Sequence, residues 1–544
     1  MCAPIEDDGP YRPGRRMFLM SGLAAAGALS GTVTAADEPQ AQDSPFELAE
    51  TTIAELAEGM AKGKWTSREL AELYLARIEA IDRQGPTLRS VIEVNPESLQ
   101  LADALDRERA QQKLRGPLHG VPILVKDNID TGDRMATTAG SLALVGAKPP
   151  GDAFCVAKLR QAGALILGKA NMSEWAYSRS FHTATSGWSA RGGLTKNPYA
   201  LDRNPSGSSS GSAVAASANL CAATVGTETD GSIIAPSSVN GIVGVKPTWG
   251  LVSRTGIIPI SHSFDTAGPM ARTVHDAALL LSAMAGHDPN DGATSDCPKS
   301  IPDYVQQLTP SALKGAKLAV ARNFFGFHDL VDPLAAAALE ELTQQGSTLT
   351  DTILLAKMGD YGPAEEIVLA YELKADLNAY LARLGPDAPV KTLADLIAFN
   401  KQHADQEMRY FGQQFFEQAQ EKGPLSSYEY QEALAKCRRI SRTDGLDKVF
   451  ADGAEAIVAP TCGPAGVTDL VIGDRWLGGD IIGIAAMAGY PHVTVPMGFV
   501  FGLPVGLSFV GPPWTEGRLL QFADAFEQAT RHRRPPRLLP TAEV

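Results

Sequence analysis

With 544 residues, 44% of them hydrophobic, the chain has ample apolar material for a large core, and length alone does not separate one large α/β domain from several smaller ones. Its 48 Lys and Arg are outnumbered by 62 Asp and Glu, a formal net charge of −14, so repulsion disfavours nucleic acid or an anionic membrane as a partner. No basic run or basic-aromatic stripe interrupts that balance in the body of the protein. Cys2, Cys155, Cys221, Cys297, Cys437 and Cys462 lack C-x-x-C spacing and read as core residues. The histidines lack H-x-H and H-E-x-x-H spacing, so no metal site is expected.

Along the chain, Arg15-Arg16-Met17-Phe18-Leu19 precedes a mild apolar run, Met20 to Ser30, that closes on the small residues of Val33-Thr34-Ala35-Ala36. Residues 1–36 resemble a twin-arginine export signal, with a disordered tail as the alternative. The run is too short and too rich in Gly and Ala to span a bilayer, and no cysteine follows it to carry a lipid. A periplasmic mature chain without a membrane anchor is expected.

Two helices then announce themselves by their caps, Thr52-x-x-Glu55 and Thr66-x-x-Glu69. In the second, Leu70, Leu73, Tyr74, Ile78 and Ile81 share one face. Apolar runs at Val121 to Val125, Leu165 to Leu167, Ala222 to Val225, Leu318 to Ala321 and Ile457 to Ala459 read as buried strands. Helical stretches follow several of them, including Val274 to Ala285 behind Thr273-x-x-Asp276. This alternation predicts an α/β fold, a layered sheet with helices on both faces. The stretch 359–448 departs from it: helix-rich and polar, it is either a solvated excursion or a cap that shapes a cleft.

Three short segments carry candidate chemistry. Lys126 follows the run Val121 to Val125, and Ser208 and Ser232 lie 24 positions apart in NPSGSSSGSAVAASANLCAATVGTETDGSI. Amide cleavage needs a nucleophile, a base and oxyanion donors, which these segments can supply. A flexible Ser/Gly linker does not fit, because SGSSSGS runs straight into the apolar stretch Ala213 to Val225. Gly207-Ser208-Ser209-Ser210-Gly211 also matches a nucleophile elbow centred on Ser209, yet Asp202-Arg203-Asn204-Pro205 before it is turn chemistry where an elbow needs a strand. Gly163 to Lys169 begins like a P-loop, but its middle is a strand-like apolar run and Ala170 replaces the final Ser/Thr. His119 and His492 flank strand-like runs and are expected to be satisfied by local hydrogen bonds.

The segment 204–250 resembles the signature of the amidase signature family. GPLHGVPILVKDNI, GALILGKANMSEWA, DTAGPMART, AEAIVAPT, AGYPHVTVPMG and GLPVGLSFVG resemble further family segments, in the family's order. The resemblance implies one catalytic domain over about 44–540, a large mixed central sheet, and no cofactor. It further implies a Ser-cisSer-Lys triad of Ser232 as nucleophile, Ser208 as proton relay and Lys126 as base, with backbone N–H groups of Thr229, Asp230, Gly231 and Ser232 around the oxyanion. GTETDGS, with Asp230 where most members carry Gly, looks most like the bacterial peptide amidases, which remove the C-terminal amide of peptides. Ile233-Ile234-Ala235-Pro236 after Ser232 offers no Arg for a substrate carboxylate. A neutral amide and a fairly apolar acyl pocket, to which Trp175, Tyr177 and Trp188 contribute unless they are core residues, are therefore expected. The alternatives are a broad aryl or aliphatic amidase or esterase of the same family, the amidase component of a tRNA-dependent amidotransferase, and a non-catalytic binding protein.

Overall fold

The computed structural model describes residues 46–544 except 182, 352–354 and 387, so the expected export signal lies outside the described residues. Helices Ile53–Ala61 and Ser67–Arg77 open the described chain on the two expected capping boxes. Thr52 Oγ1 accepts the Glu55 N–H at 3.2 Å while the Glu55 carboxylate accepts the Thr52 N–H at 2.8 Å. Thr66 and Glu69 repeat the pattern at 3.1 and 2.7 Å. Leu70, Tyr74 and Ile78 are buried, with Leu73 and Ile81 partly buried against the same core. The third cap differs in use. Thr273 takes the Asp276 N–H at 3.1 Å, but the Asp276 carboxylate accepts the N–H of Ile53 at 3.1 Å, tying helix Val274–Met284 to the start of the first helix.

The strands in chain order are β1 (Val91–Val94), β2 (Pro122–Lys126), β3 (Leu165–Ala170), β4 (Trp188–Ser189), β5 (Gly193–Leu194), β6 (Ala223–Glu228) and β7 (Val243–Lys246). They continue with β8 (Thr266–Ala271), β9 (Lys317–Val320), β10 (Thr348–Asp351), β11 (Ala456–Pro460), β12 (His492–Val500) and β13 (Leu503–Val510). β4 and β5 pair as a small ribbon, and the other eleven form one sheet in the order β1-β3-β2-β6-β8-β7-β12-β13-β11-β9-β10. The sheet is mixed: β2 runs parallel to β3 and β6, while β8, β7, β12 and β13 pair antiparallel in turn. Both faces are covered, because Ala456 and Val458 of β11 enter one apolar cluster and Ile457 and Ala459 enter another. Burial on both faces explains why β2, β3, β6 and β11 read as unbroken apolar runs.

The excursion is a cap. Helices Met358–Arg383, Leu393–Gln402, Gln414–Glu421 and Tyr428–Arg438 are its main elements. Tyr361, Val368, Leu377, Leu381 and Phe416 are buried in a cluster shared with Trp175, Ile258, Phe264 and Met487 from outside it. The expectation of a solvated excursion is corrected: the apolar residues scattered among its charges fall on inward helix faces. Polar contacts fasten it as well, with Tyr380 Oη donating to Asp130 at 2.8 Å and Ser263 Oγ to Glu372 at 2.7 Å.

Candidate active site

The topology sets the site. β2 and β6 are parallel neighbours with Val125 opposite Val225, so their last residues, Lys126 and Glu228, emerge at the same sheet edge. That edge, at the carboxyl ends of parallel strands, is where α/β sheets hold their ligands. Lys126 is wholly buried, and its Nζ contacts Ser208 Oγ at 2.8 Å, Thr227 Oγ1 at 2.9 Å and the Thr227 carbonyl at 3.1 Å. Asn128 Nδ2 donates to the same Thr227 hydroxyl at 3.0 Å. Burial dominates the lysine's ionisation and lowers it from 10.5 to about 7, against the opposing charges of Glu228 and Asp265. The neutral amine is therefore abundant near neutral pH.

The serine loop is packed from below. The Gly207–Ser208 peptide is cis, and a Cβ on Gly207 would stand 2.9 Å from Ser210 Oγ, so the loop tolerates no larger residue there. The Ser208 carbonyl accepts the Ser173 N–H at 3.0 Å, and the Ser209 N–H donates to the Ser232 carbonyl at 3.1 Å, which joins the two serine segments directly. Ser209 is no elbow nucleophile: its buried hydroxyl donates to the Thr227 carbonyl at 3.0 Å and accepts the Thr227 N–H at 3.2 Å, fully engaged in holding β6. Ser232 retains 9% exposure, and its hydroxyl makes no hydrogen bond to another described residue.

Gly231 takes a φ of +77°, which a side chain would resist, and its missing Cβ leaves room for Ile482 at 3.1 Å. Of the expected oxyanion donors, the N–H groups of Thr229, Asp230 and Ser232 donate to no other described residue, whereas that of Gly231 turns toward the Glu228 carboxylate. Glu228, missed by the sequence reading although it sits beside the motif, also accepts the N–H groups of Ile233 at 2.7 Å and Ile234 at 2.9 Å. It thereby anchors the turn that carries Ser232. Asp265 does the same for Thr229, accepting its hydroxyl at 2.6 Å.

A cavity of about 600 Å³ opens beside this edge, lined by Asn128, Thr227, Thr229 and Asp265 from the sheet side and Asp376 and Arg383 from the cap. Ile257, Ile258, Pro259 and Ile260 add an apolar stretch to the same lining, so the cavity wall is mixed. Trp175, Tyr177 and Trp188 do not line it. Trp175 packs on Phe416 at 5.8 Å and Trp188 on Phe411 at 5.2 Å and Tyr410 at 5.6 Å, so cap packing claims both, while Tyr177 Oη donates to the Ala184 carbonyl at 3.0 Å. Ala176, between the first two, is the residue of that stretch that reaches the cavity.

The remaining polar residues are accounted for locally. His119 Nε2 meets the Leu105 carbonyl at 2.9 Å, and His492 Nε2 meets Ser508 Oγ at 2.6 Å, with burial lowering the His492 imidazole to about 3. Lys169 Nζ donates to Thr137 Oγ1 at 2.9 Å, which removes it from any phosphate role. Cys155, Cys221, Cys297, Cys437 and Cys462 are free and buried. Among the described residues one group combines His and carboxylates closely enough for a metal, His262, Glu372 and Asp376. Its members are already matched to protein partners: His262 donates its N–H to Asp376 at 2.9 Å, its Nδ1 lies 2.8 Å from the same oxygen, and Glu372 accepts Tyr430 Oη at 2.6 Å. Burial disfavours the His262 charge, yet the Asp376 hydrogen bond and Glu372 outweigh it and hold the imidazole above its ordinary range. The trio is a clasp between the cap and the loop that precedes β8.

A protein-family model described as Amidase matches residues 69–520. The chain belongs to the amidase family. It is 42% identical over 507 residues to a probable amidase of Arabidopsis thaliana, covering 91% of this chain and 93% of that protein. The native peptide amidase from Stenotrophomonas maltophilia superposes with a TM-score of 0.86 at 47% identity, covering 91% of this chain and all of that one. A glutamyl-tRNA(Gln) amidotransferase component from Chloroflexus aurantiacus is more distant, 35% identical over 513 residues with 91% and 99% covered. The chain is thus an amide-hydrolysing enzyme with the family's large mixed sheet.

Proposed function

We propose that this amidase removes the C-terminal amide of peptides through an acyl-enzyme on Ser232. The observation that carries the chemistry is the 2.8 Å contact of Ser208, on a loop bonded to the Ser232 segment, with a wholly buried Lys126 whose titration burial lowers to about 7. Lys126 accepts a proton from Ser208, which relays one from Ser232 as the latter attacks the amide carbon. The N–H groups of Thr229, Asp230 and Ser232 receive the oxyanion, the relay returns a proton to the departing ammonia, and water hydrolyses the ester by the same path. The peptide as acyl group rests on the likeness to the Stenotrophomonas enzyme and on the absence of a cation in the buried segment Ile233–Pro236.

Mass spectrometry of a short amidated peptide tests the assignment. The expected product is heavier by roughly one mass unit, NH2 exchanged for OH, with every internal bond intact. Internal fragments, or hydrolysis of simple esters without any peptide-amide turnover, would overturn it.

A further inference from the structure

Asp230, two positions before Ser232, occupies an unusual setting. From Ser208 to Thr248 every residue is buried except Thr229 and Asp230, so these two form the opening onto the turn that bears the nucleophile. The cap helix Met358–Arg383 brings Tyr361 and Glu365 against that opening. Gly483 on helix Asp480–Ala488 makes the space: a Cβ there would stand 3.3 Å from Asp230 Oδ2 and would overlap the Tyr361 hydroxyl. The Tyr361 hydroxyl and Glu365 Oε1 are buried without a hydrogen-bond partner, and unmatched polar atoms of this kind call for a function. Burial first, and then the charge of Asp230, hold the Glu365 carboxyl well above the usual range. It is therefore the neutral acid of the pair and donates to Asp230, on which the negative charge stays.

Hydrolysis of a carboxamide removes two N–H donors and creates an anion at the same place. A carboxylate at the mouth of the site distinguishes those two states, since it accepts from the first and repels the second. Resting on the peptide-amidase reading above, we propose that Asp230, backed by Glu365 and Tyr361, is a specificity-determining residue that accepts an N–H from the amide end of the substrate and turns away the free-acid product.

The test compares the wild type with Asp230→Asn, using one peptide amide as substrate and the matching peptide acid as inhibitor. It is run at about pH 8, where the Asp230 carboxyl, pushed up to about 7, is mostly ionised. Asparagine keeps the size and an acceptor but loses the charge. The inhibition constant of the acid should fall roughly tenfold or more while the KM of the amide, which loses its charged acceptor, rises. An unchanged inhibition constant, or equal shifts for acid and amide, would overturn the proposal. A purely structural defect lowers kcat without tightening acid binding, so the ratio separates the two. For a variant too slow to assay, calorimetric titration with the same two peptides reads that ratio directly. Wild type that releases no ammonia from any peptide amide would refute the underlying assignment instead, and that result is seen before any variant is made.

Discussion

Replacing Lys126 with methionine separates the lysine's chemistry from its effect on folding. The folded ammonium titrates at about 7 against an ordinary 10.5, so near pH 7 about half of the molecules hold the neutral amine, where a free lysine would offer roughly three in ten thousand. That gain in base costs stability. Because the folded value is depressed, the unfolded chain binds the extra proton: the penalty is complete below pH 7 and fades as pH rises toward 10.5. At 1.36 kcal/mol per unit it amounts to about 5 kcal/mol at pH 6 and about 2 kcal/mol at pH 9. Methionine fills the space but abandons the contacts to Ser208 and Thr227, a loss that does not vary with pH. Urea unfolding followed by tryptophan fluorescence should therefore show wild type gaining about 3 kcal/mol on the methionine variant between pH 6 and 9, whatever their offset. The same titration sets the acid limb of kcat/KM near pH 7, with a slope of about one decade per pH unit below it. Parallel stability profiles for the two proteins would mean that the folded lysine stays protonated, and the general-base role would fall.

Ser232→Ala is expected to lose activity by roughly 10⁴-fold or more and to resist serine-directed phosphonates. Ser209→Ala, which removes the bond to Thr227 but no reacting atom, should retain measurable turnover, and a dead, unlabelled Ser209→Ala beside a labelled Ser232→Ala would reverse the assignment. Gly231→Ala forces a side chain into a φ of +77° against Ile482 and should lower kcat with little change in far-ultraviolet circular dichroism; full activity would show that the turn is not fixed. Residues 1–42 fused to a reporter that fluoresces only when exported folded should give a periplasmic signal that Arg15→Lys with Arg16→Lys abolishes, whereas cytoplasmic retention of the intact fusion would count against the twin-arginine reading.

What the sequence made legible follows from burial. β2, β3, β6, β9 and β11 stood out because most of their residues point into one apolar layer or the other. β7 (VGVK) and β8 (TAGPMA) escaped, since glycine and proline interrupt the pattern and neighbouring strands supply their context. The cap was legible as helical but not as buried, because its inward residues are spread over several short helices whose faces are defined only by packing. Lys126, Ser208 and Ser232 emerged from motif resemblance, and the fold brings Lys126 and Ser208 into contact. Thr227, Asn128 and Asp265 act through partners far along the chain, and no local spacing marks such contacts. Glu228 had a signal, an acid directly beside the Gly-Ser turn, that only the accepting geometry turns into a role.

Glu228 also explains how a buried lysine stays neutral beside buried acids. A carboxylate paired with Lys126 would hold the ammonium charged and spoil it as a base. Here Glu228 is committed elsewhere: its oxygen takes the N–H groups of Ile233 and Ile234, and its charge is balanced chiefly by Lys246, which burial lowers to about 8 against the opposing charges of Glu228 and Glu516. Asp265 is likewise committed to Thr229 and to the N–H groups of Ile260 and Ser261 at 2.8 and 2.9 Å. Both acids raise the Lys126 value from a distance while neither bonds to it, so desolvation wins. The same two carboxylates thus fix the turn that carries the nucleophile and leave the base unpaired. Glu228→Gln would then act on both functions at once, loosening the Ser232 turn through a weaker acceptor while lowering the Lys126 titration, so that kcat falls and its acid limb moves to lower pH. An acid limb that moved upward would show that Glu228 neutralises some other group.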